Sequence, residues 1–193
     1  MKQLTEKQQL ELEKYIEVYT KGTTSTPGVY GHNNWGSGIY SHIQTIKPQS
    51  LLDIGCGMGV FINDMHNQFK IPKLYALDIA SVRLGKHIAN KNVTWLDSQA
   101  HDIPLEANSV EYITSFDCLE HVIEDDVDSI VKEFHRVCTK GLLLRIAYHQ
   151  ARERSPKGEI LHMTVQPESW WIEKFTQLFK LEQKMDDYLI FKK

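Results

Sequence analysis

Leu12, Tyr15, Ile16 and Tyr19 recur at the three- and four-residue spacing that aligns side chains on one face of a helix. Thr5 followed by Gln8 reads as a capping box at its start, so the pattern predicts an amphipathic helix over residues 5–20, ended by Gly22. Residues 21–38 lose all periodicity, are rich in Gly, Thr, Ser and Asn, and carry Tyr30, His32 and Trp35, which marks a loop. A short helix over 38–46 leads to Pro48. From there to about residue 147, β-prone apolar runs alternate with helical patterns: strands at SLLDIG, KLYALDI, NVTWL, VEYITSF and GLLLRIA, helices near 59–69, 81–90 and 125–138. This alternation is the signature of a wound α/β sheet with helices on both faces, in which a ligand binds outside the carboxyl ends of the central strands. The tail predicts a helix opening at Gln166-Pro167-Glu168, then strands FKLEQKMD and YLIFKK, joined so tightly that they must run antiparallel.

With 193 residues, 41% hydrophobic and 24% charged, the chain fits one domain with a substantial core. No internal repeat or linker divides it. Lys and Arg number 22 against 25 Asp and Glu, a net charge of -3, which is not the footprint of a general nucleic-acid binder. Three cysteines without a paired spacing fit a reducing, cytoplasmic setting, and neither a signal peptide nor a membrane span is expected.

The chemistry concentrates at LLDIGCGMGVF, residues 51–61, where a buried strand turns through Gly55, Gly57 and Gly59 into a helix. Glycine there lets a ligand approach the backbone. A dinucleotide fingerprint would place its third glycine at position 60, which is Val60, and this argues against a pyrophosphate. Asp78 closes the next strand, where a carboxylate can accept from both hydroxyls of a ribose, so the ligand reads as a nucleoside derivative. Asp53, Asp78, Asp102 and Asp117 all fall at or near predicted strand ends on one edge, which suits a cationic ligand.

With LLDIGCGMGVF, ALDIA, QAHDIPLEANSVEYITSFDCLEHV and the closing strand pair, residues 48–193 resemble the S-adenosylmethionine-dependent methyltransferases of class I, small-molecule type. The resemblance implies a Rossmann-like, seven-stranded, mostly parallel sheet with an antiparallel last strand, and S-adenosyl-L-methionine as cofactor. It implies that Gly55, Cys56, Gly57 and Gly59 make the turn beside the methionine part and that Asp53 orients its amino group. Asp78 would hold the ribose and Ile79 pack on the adenine. Gln99 would accept from the adenine amino group beside Ala100, with Asp97 and Asp102 as alternatives.

Methyl transfer is an in-line displacement that needs a base only for some acceptors. Asp117, His121 and His149, at the ends of the fourth and fifth strands, are the candidate catalytic side chains, and Asp117 also lies by the cofactor. Arg152, Arg154, Lys157 and His162 lie on a long connection expected to close over the acceptor with the first helix. Residues 1–47 are thus expected to form a lid region and 48–193 the cofactor core of a single domain. No histidine or carboxylate spacing points to a metal site. A small-molecule acceptor is expected, with no DNA, no membrane and an open oligomeric state. Two other functions remain: a methyltransferase-like partner subunit that only binds cofactor, and a nicotinamide-dependent oxidoreductase.

Overall fold

The computed structural model describes residues 3–28 and 30–193; Met1, Lys2 and Val29 of the expected lid region lie outside the described residues. Seven strands form one sheet: β1 (Ser50–Ile54), β2 (Lys73–Leu77), β3 (Val93–Leu96), β4 (Val110–Phe116), β5 (Cys138–Arg145), β6 (Lys180–Met185) and β7 (Tyr188–Lys192). Their spatial order is β3-β2-β1-β4-β5-β7-β6. The first five run parallel, and β7 is antiparallel to both β5 and β6, with Asp186 turning the tight connection at a φ of 49°. The order reverses at β1 and β4, which makes the crevice beyond their carboxyl ends the place for a ligand.

Each strand's apolar run is shared between two cores by the two-residue alternation of side chains. Leu51, Leu74, Ala76, Leu143 and Ile190 face the layer of α2 (Tyr40–Ile46) and α3 (Val60–Asn67). Leu52, Leu77, Leu142, Leu144, Leu189 and Phe191 face α4 (Val127–Val137) and α5 (Glu168–Thr176). The helix α4 shows why: Val127, Ile130, Val131, Phe134 and Val137 form one stripe, all buried.

The first helix, α1 (Glu6–Lys21), has both hydrogen bonds of the capping box between Thr5 and Gln8 and ends at Gly22 with a φ of 85°. It belongs to neither layer. Gln8 reaches Asp126 at 2.9 Å and Lys14 donates to the Ile160 carbonyl at 3.0 Å, which lays α1 across the carboxyl ends of the strands.

One expected helix is absent. Residues 81–90 make a single turn, with Leu84 bonded to Ala80 and Lys86 to Ser81, and the chain then leaves it. Gly85 takes a φ of 63° and the Ile88 N–H goes to the Met58 carbonyl at 2.9 Å, so the fourth-residue ladder cannot continue. Among the described residues no helix is long and apolar enough to cross a membrane.

Candidate functional site

The turn after β1 is fixed by its neighbours. Gly55 and Cys56 both donate their N–H to the Leu77 carbonyl, at 2.8 and 3.1 Å. Gly55 sits at a φ of 71°, and a Cβ there would lie 2.2 Å from Cys118 Sγ. Gly57 has a φ of 56°, and its missing Cβ leaves room for the Gly31 carbonyl, which accepts from the Met58 N–H at 2.9 Å. Gly59 caps the start of α3.

Asp78 is the anchor of this shelf. Its Oδ1 accepts from the N–H groups of Ala80 and Ser81 at 2.9 and 2.8 Å, and its Oδ2 from the Gly57 N–H at 3.1 Å. The Tyr19 hydroxyl of α1 donates the fourth bond, at 3.2 Å. Burial pushes the carboxyl above its usual range while the backbone donors pull it back. A carboxylate has about four lone-pair sites, so a ribose would take the place that Tyr19 holds.

A cavity of about 990 Å³ opens from the shelf. It is lined by Gly55, Cys56, Gly57, Asp78, Ile79, Gln99, Ala100, Asp117, His121 and His149. Asp53 does not line it. Buried within β1, its carboxyl accepts from the Thr114 hydroxyl at 2.8 Å and is pushed up to about 7 by burial. Nor does Gly59, which faces the Trp95 ring. Asp102 lies by a smaller hollow with Arg83, Asp97 and Gln99, so the expected single acidic edge is replaced by two locations.

The roof comes from distant segments. Tyr30 packs edge on against Tyr19 and tilted against Tyr15, and the strap after β5 joins them: the Thr24 N–H bonds the Arg154 carbonyl at 3.1 Å and the Thr23 hydroxyl the Glu153 carboxylate at 2.5 Å. Arg152 lines the cavity and is exposed; Arg154 is held by a bridge to Ile160. On the far wall Arg145 pairs with Asp117 at 2.5 Å and lies over the Trp35 ring. Burial still raises Asp117 against the pull of Arg145.

Beyond Asp117, a single 3-10 turn over Leu119–His121 carries Glu120 and His121. The Glu120 carbonyl accepts from the N–H groups of Met163 and Thr164, at 2.8 and 3.0 Å, which brings His162 of the strap against His121, rings edge to face at 4.7 Å. Glu120 is fully buried, and burial pushes its carboxyl up to about 8. Burial, with His162 adding, holds His121 down at about 3, so its ring is neutral. Its Nδ1 meets the Tyr15 hydroxyl at 2.5 Å and the Leu161 carbonyl at 2.9 Å. His149 is exposed at the rim, and its carbonyl takes the His162 Nδ1 at 2.5 Å. The sequence places Glu120 after the fourth strand and His162 on the long connection but does not bring them together, because what unites them is backbone pairing between a turn and a strap, which no spacing records.

The charge of this cavity discriminates between ligands. Among the described residues six carboxylates line it (Glu11, Asp78, Asp117, Asp126, Glu153, Asp187), with Glu120 holding its proton near neutral pH, against two arginines, Arg145 and Arg152. A pyrophosphate is repelled by such a wall, and a nucleoside carrying a sulfonium is welcomed. The close backbone turn, the buried ribose-range carboxylate and this charge fit S-adenosylmethionine.

Comparisons with known proteins agree. Residues 52–146 match the family model described as a methyltransferase domain. Norajmaline N-methyltransferase of Rauvolfia serpentina is 28% identical over 121 residues, 60% of this chain and 41% of the relative. Ajmaline N-methyltransferase of the same plant is 26% identical over the same shares. The match thus spans less than half the length of these curated relatives. An S-adenosylmethionine dependent methyltransferase of Mesorhizobium loti has the same fold, with a TM-score of 0.59 at 14% identity, over 81% of this chain and 97% of that one. A SAM-dependent methyltransferase of Methanosarcina mazei gives 0.57 at 18% identity, over 75% and 92%. Residues 52–146 thus carry the methyltransferase-domain pattern, and the Rossmann-like, seven-stranded sheet is the fold of S-adenosylmethionine-dependent methyltransferases.

Proposed function

We propose that the protein transfers the methyl group of S-adenosylmethionine to a small-molecule acceptor held in the same cavity. The observation that carries this reading is that one continuous cavity is lined both by the shelf of Gly55 to Gly57 with Asp78 and by Tyr15, Tyr30, Trp35 and Tyr148. At about 990 Å³ it stands at the upper end of single-ligand pockets, roughly 300–1,000 Å³, which suits a cofactor with an acceptor beside it.

When bound, the cofactor supplies a methyl carbon on a positively charged sulfur. The protein's work is to align, to exclude water and to place charge. Gly55, Cys56 and Gly57 would border the methionine part, with Gly59 completing the turn and Asp53 behind it polarising the amino group from within the sheet. Asp78 holds the ribose once the Tyr19 hydroxyl has moved aside. Ile79 packs on the adenine, and Gln99 with Ala100 meets its polar edge. Asp117, pinned by Arg145, faces the sulfur side.

His121 is a poor proton acceptor near neutral pH, because an imidazole held at about 3 has little affinity for a proton. His149 lies exposed at the rim of the cavity and is the remaining candidate base. The strap and α1, residues 1–47 serving as lid to the core of 48–193, close the acceptor in. The two alkaloid enzymes, named for N-methyl transfer, share the cofactor portion only to the extent of 41% of their length, so their acceptors do not carry over.

Calorimetry tests the reading: one S-adenosylmethionine or S-adenosylhomocysteine should bind per chain, and Asp78→Ala should weaken both by about tenfold or more, the loss of one hydrogen bond to a charged acceptor. Incubation with methyl-labelled cofactor and a size-fractionated extract should then move label into the low-mass fraction. Label in protein or RNA instead would refute the small-molecule acceptor.

A further inference from the structure

The carboxylate of Glu120 presents a problem that the reading above leaves unsolved. The residue is fully buried, and neither of its oxygens has a hydrogen-bond partner. A buried carboxyl without partners is costly whether ionised or neutral, so a native fold that keeps one has a use for it. His121 and His162 stand beside it, with one donor atom of each of the three residues within 4.8 Å of the others.

The hydrogen bonds of the two rings leave one nitrogen of each free for a ligand. A backbone carbonyl can only accept, so the contacts of His121 Nδ1 with the Leu161 carbonyl at 2.9 Å and of His162 Nδ1 with the His149 carbonyl at 2.5 Å put the proton on Nδ1 in both. Each Nε2 then keeps its lone pair. Metal-binding histidines show this arrangement: the second ring nitrogen donates to a carbonyl, which fixes the tautomer and the ring plane. The Tyr15 hydroxyl adds a further contact to the His121 Nδ1 at 2.5 Å.

We propose that Glu120, His121 and His162 form a binding site for a first-row divalent transition cation in the wall of the cavity. Two imidazoles and one carboxylate suit iron(II), manganese, cobalt or zinc, whereas magnesium and calcium prefer oxygen ligands throughout. Bond lengths near 2.1 Å to a shared centre require donors within about 4.2 Å of each other, so small side-chain rotations complete the set. Three protein ligands leave open positions toward the cavity that all three residues line. Resting on the methyl-transfer reading, those positions would take an acceptor hydroxyl, which would release its proton to water more readily than the free alcohol does. This supplies the activation that His121 itself cannot.

The test uses full-length, tag-free protein stripped with a chelator and titrated with Co²⁺ as the probe, followed by visible absorption. One bound Co²⁺ per chain is expected, with the ligand-field bands of nitrogen and oxygen coordination. Glu120→Gln and His162→Ala, each checked by circular dichroism and by S-adenosylmethionine calorimetry, should lose at least tenfold in cobalt affinity. Absence of stoichiometric cobalt binding in the unmodified protein overturns the proposal, as does undiminished binding in both folded variants. Cofactor binding without cobalt binding would remove this site alone, and cobalt binding without cofactor binding would leave the site and remove the methyl-transfer reading.

Discussion

The shelf and the roof of the cavity are built by opposite means. The shelf is backbone: two consecutive strand ends, a glycine turn and one carboxylate that collects N–H groups from Gly57, Ala80 and Ser81. The roof is side chain: tyrosines of α1, the Tyr30 to Trp35 loop and a strap returning from β5, stitched by single bonds such as Lys14 to the Ile160 carbonyl. A backbone site tolerates few replacements and serves one ligand, while a side-chain site can be respecified piece by piece.

Gly55→Ala gives the strongest test of the contrast. The new methyl would lie 2.2 Å from Cys118 Sγ at a φ of 71°, so a cost of about 2–5 kcal/mol is expected in urea unfolding, together with loss of cofactor binding. A fully stable variant would show that the shelf is not rigid.

Asp53→Asn comes next. The carboxyl holds its proton up to about 7 in the folded chain, well above an unfolded aspartate, so the folded form binds more protons between about pH 4 and 7. Its contribution therefore falls as pH rises through that window and stays low above it. The asparagine variant should lack that fall, gaining about 2–4 kcal/mol on the parent between pH 4 and 8, read from urea melts at both values. Equal pH profiles would mean that Asp53 is already hydrated or paired.

The smallest effect belongs to the roof. Removing the Tyr19 hydroxyl frees an acceptor site on Asp78, and one hydrogen bond of about 1 kcal/mol translates to roughly fivefold tighter cofactor binding in Tyr19→Phe. Weaker binding would mean that Tyr19 joins the ligand rather than competing with it.

The two regions also differ in how far the sequence discloses them. LLDIGCGMGVF and ALDIA announce the shelf because every contributing residue is near a strand end, and strand order follows from alternation and chirality. The tail pair was equally legible, since a two-residue connection permits no crossover. Residues 81–90 carry helix-compatible spacing, yet the N–H of Ile88 finds a better partner in the Met58 carbonyl, a tertiary contact that no local pattern contains. Asp53 reads as an edge residue, but Thr114 of the neighbouring strand claims it. The union of Glu120 with His162 depends on two backbone bonds between a turn and a strap, invisible until the sheet is assembled.

The first helix touches both regions at once, through Tyr19 on Asp78 and Tyr15 on His121. Should a ligand that dislodges one of these hydroxyls shift the helix that carries the other, occupancy at either end would change affinity at its counterpart, and by thermodynamic reciprocity to the same degree in both directions. The order in which two molecules enter this cavity would then be written in a pair of tyrosines one helical turn apart.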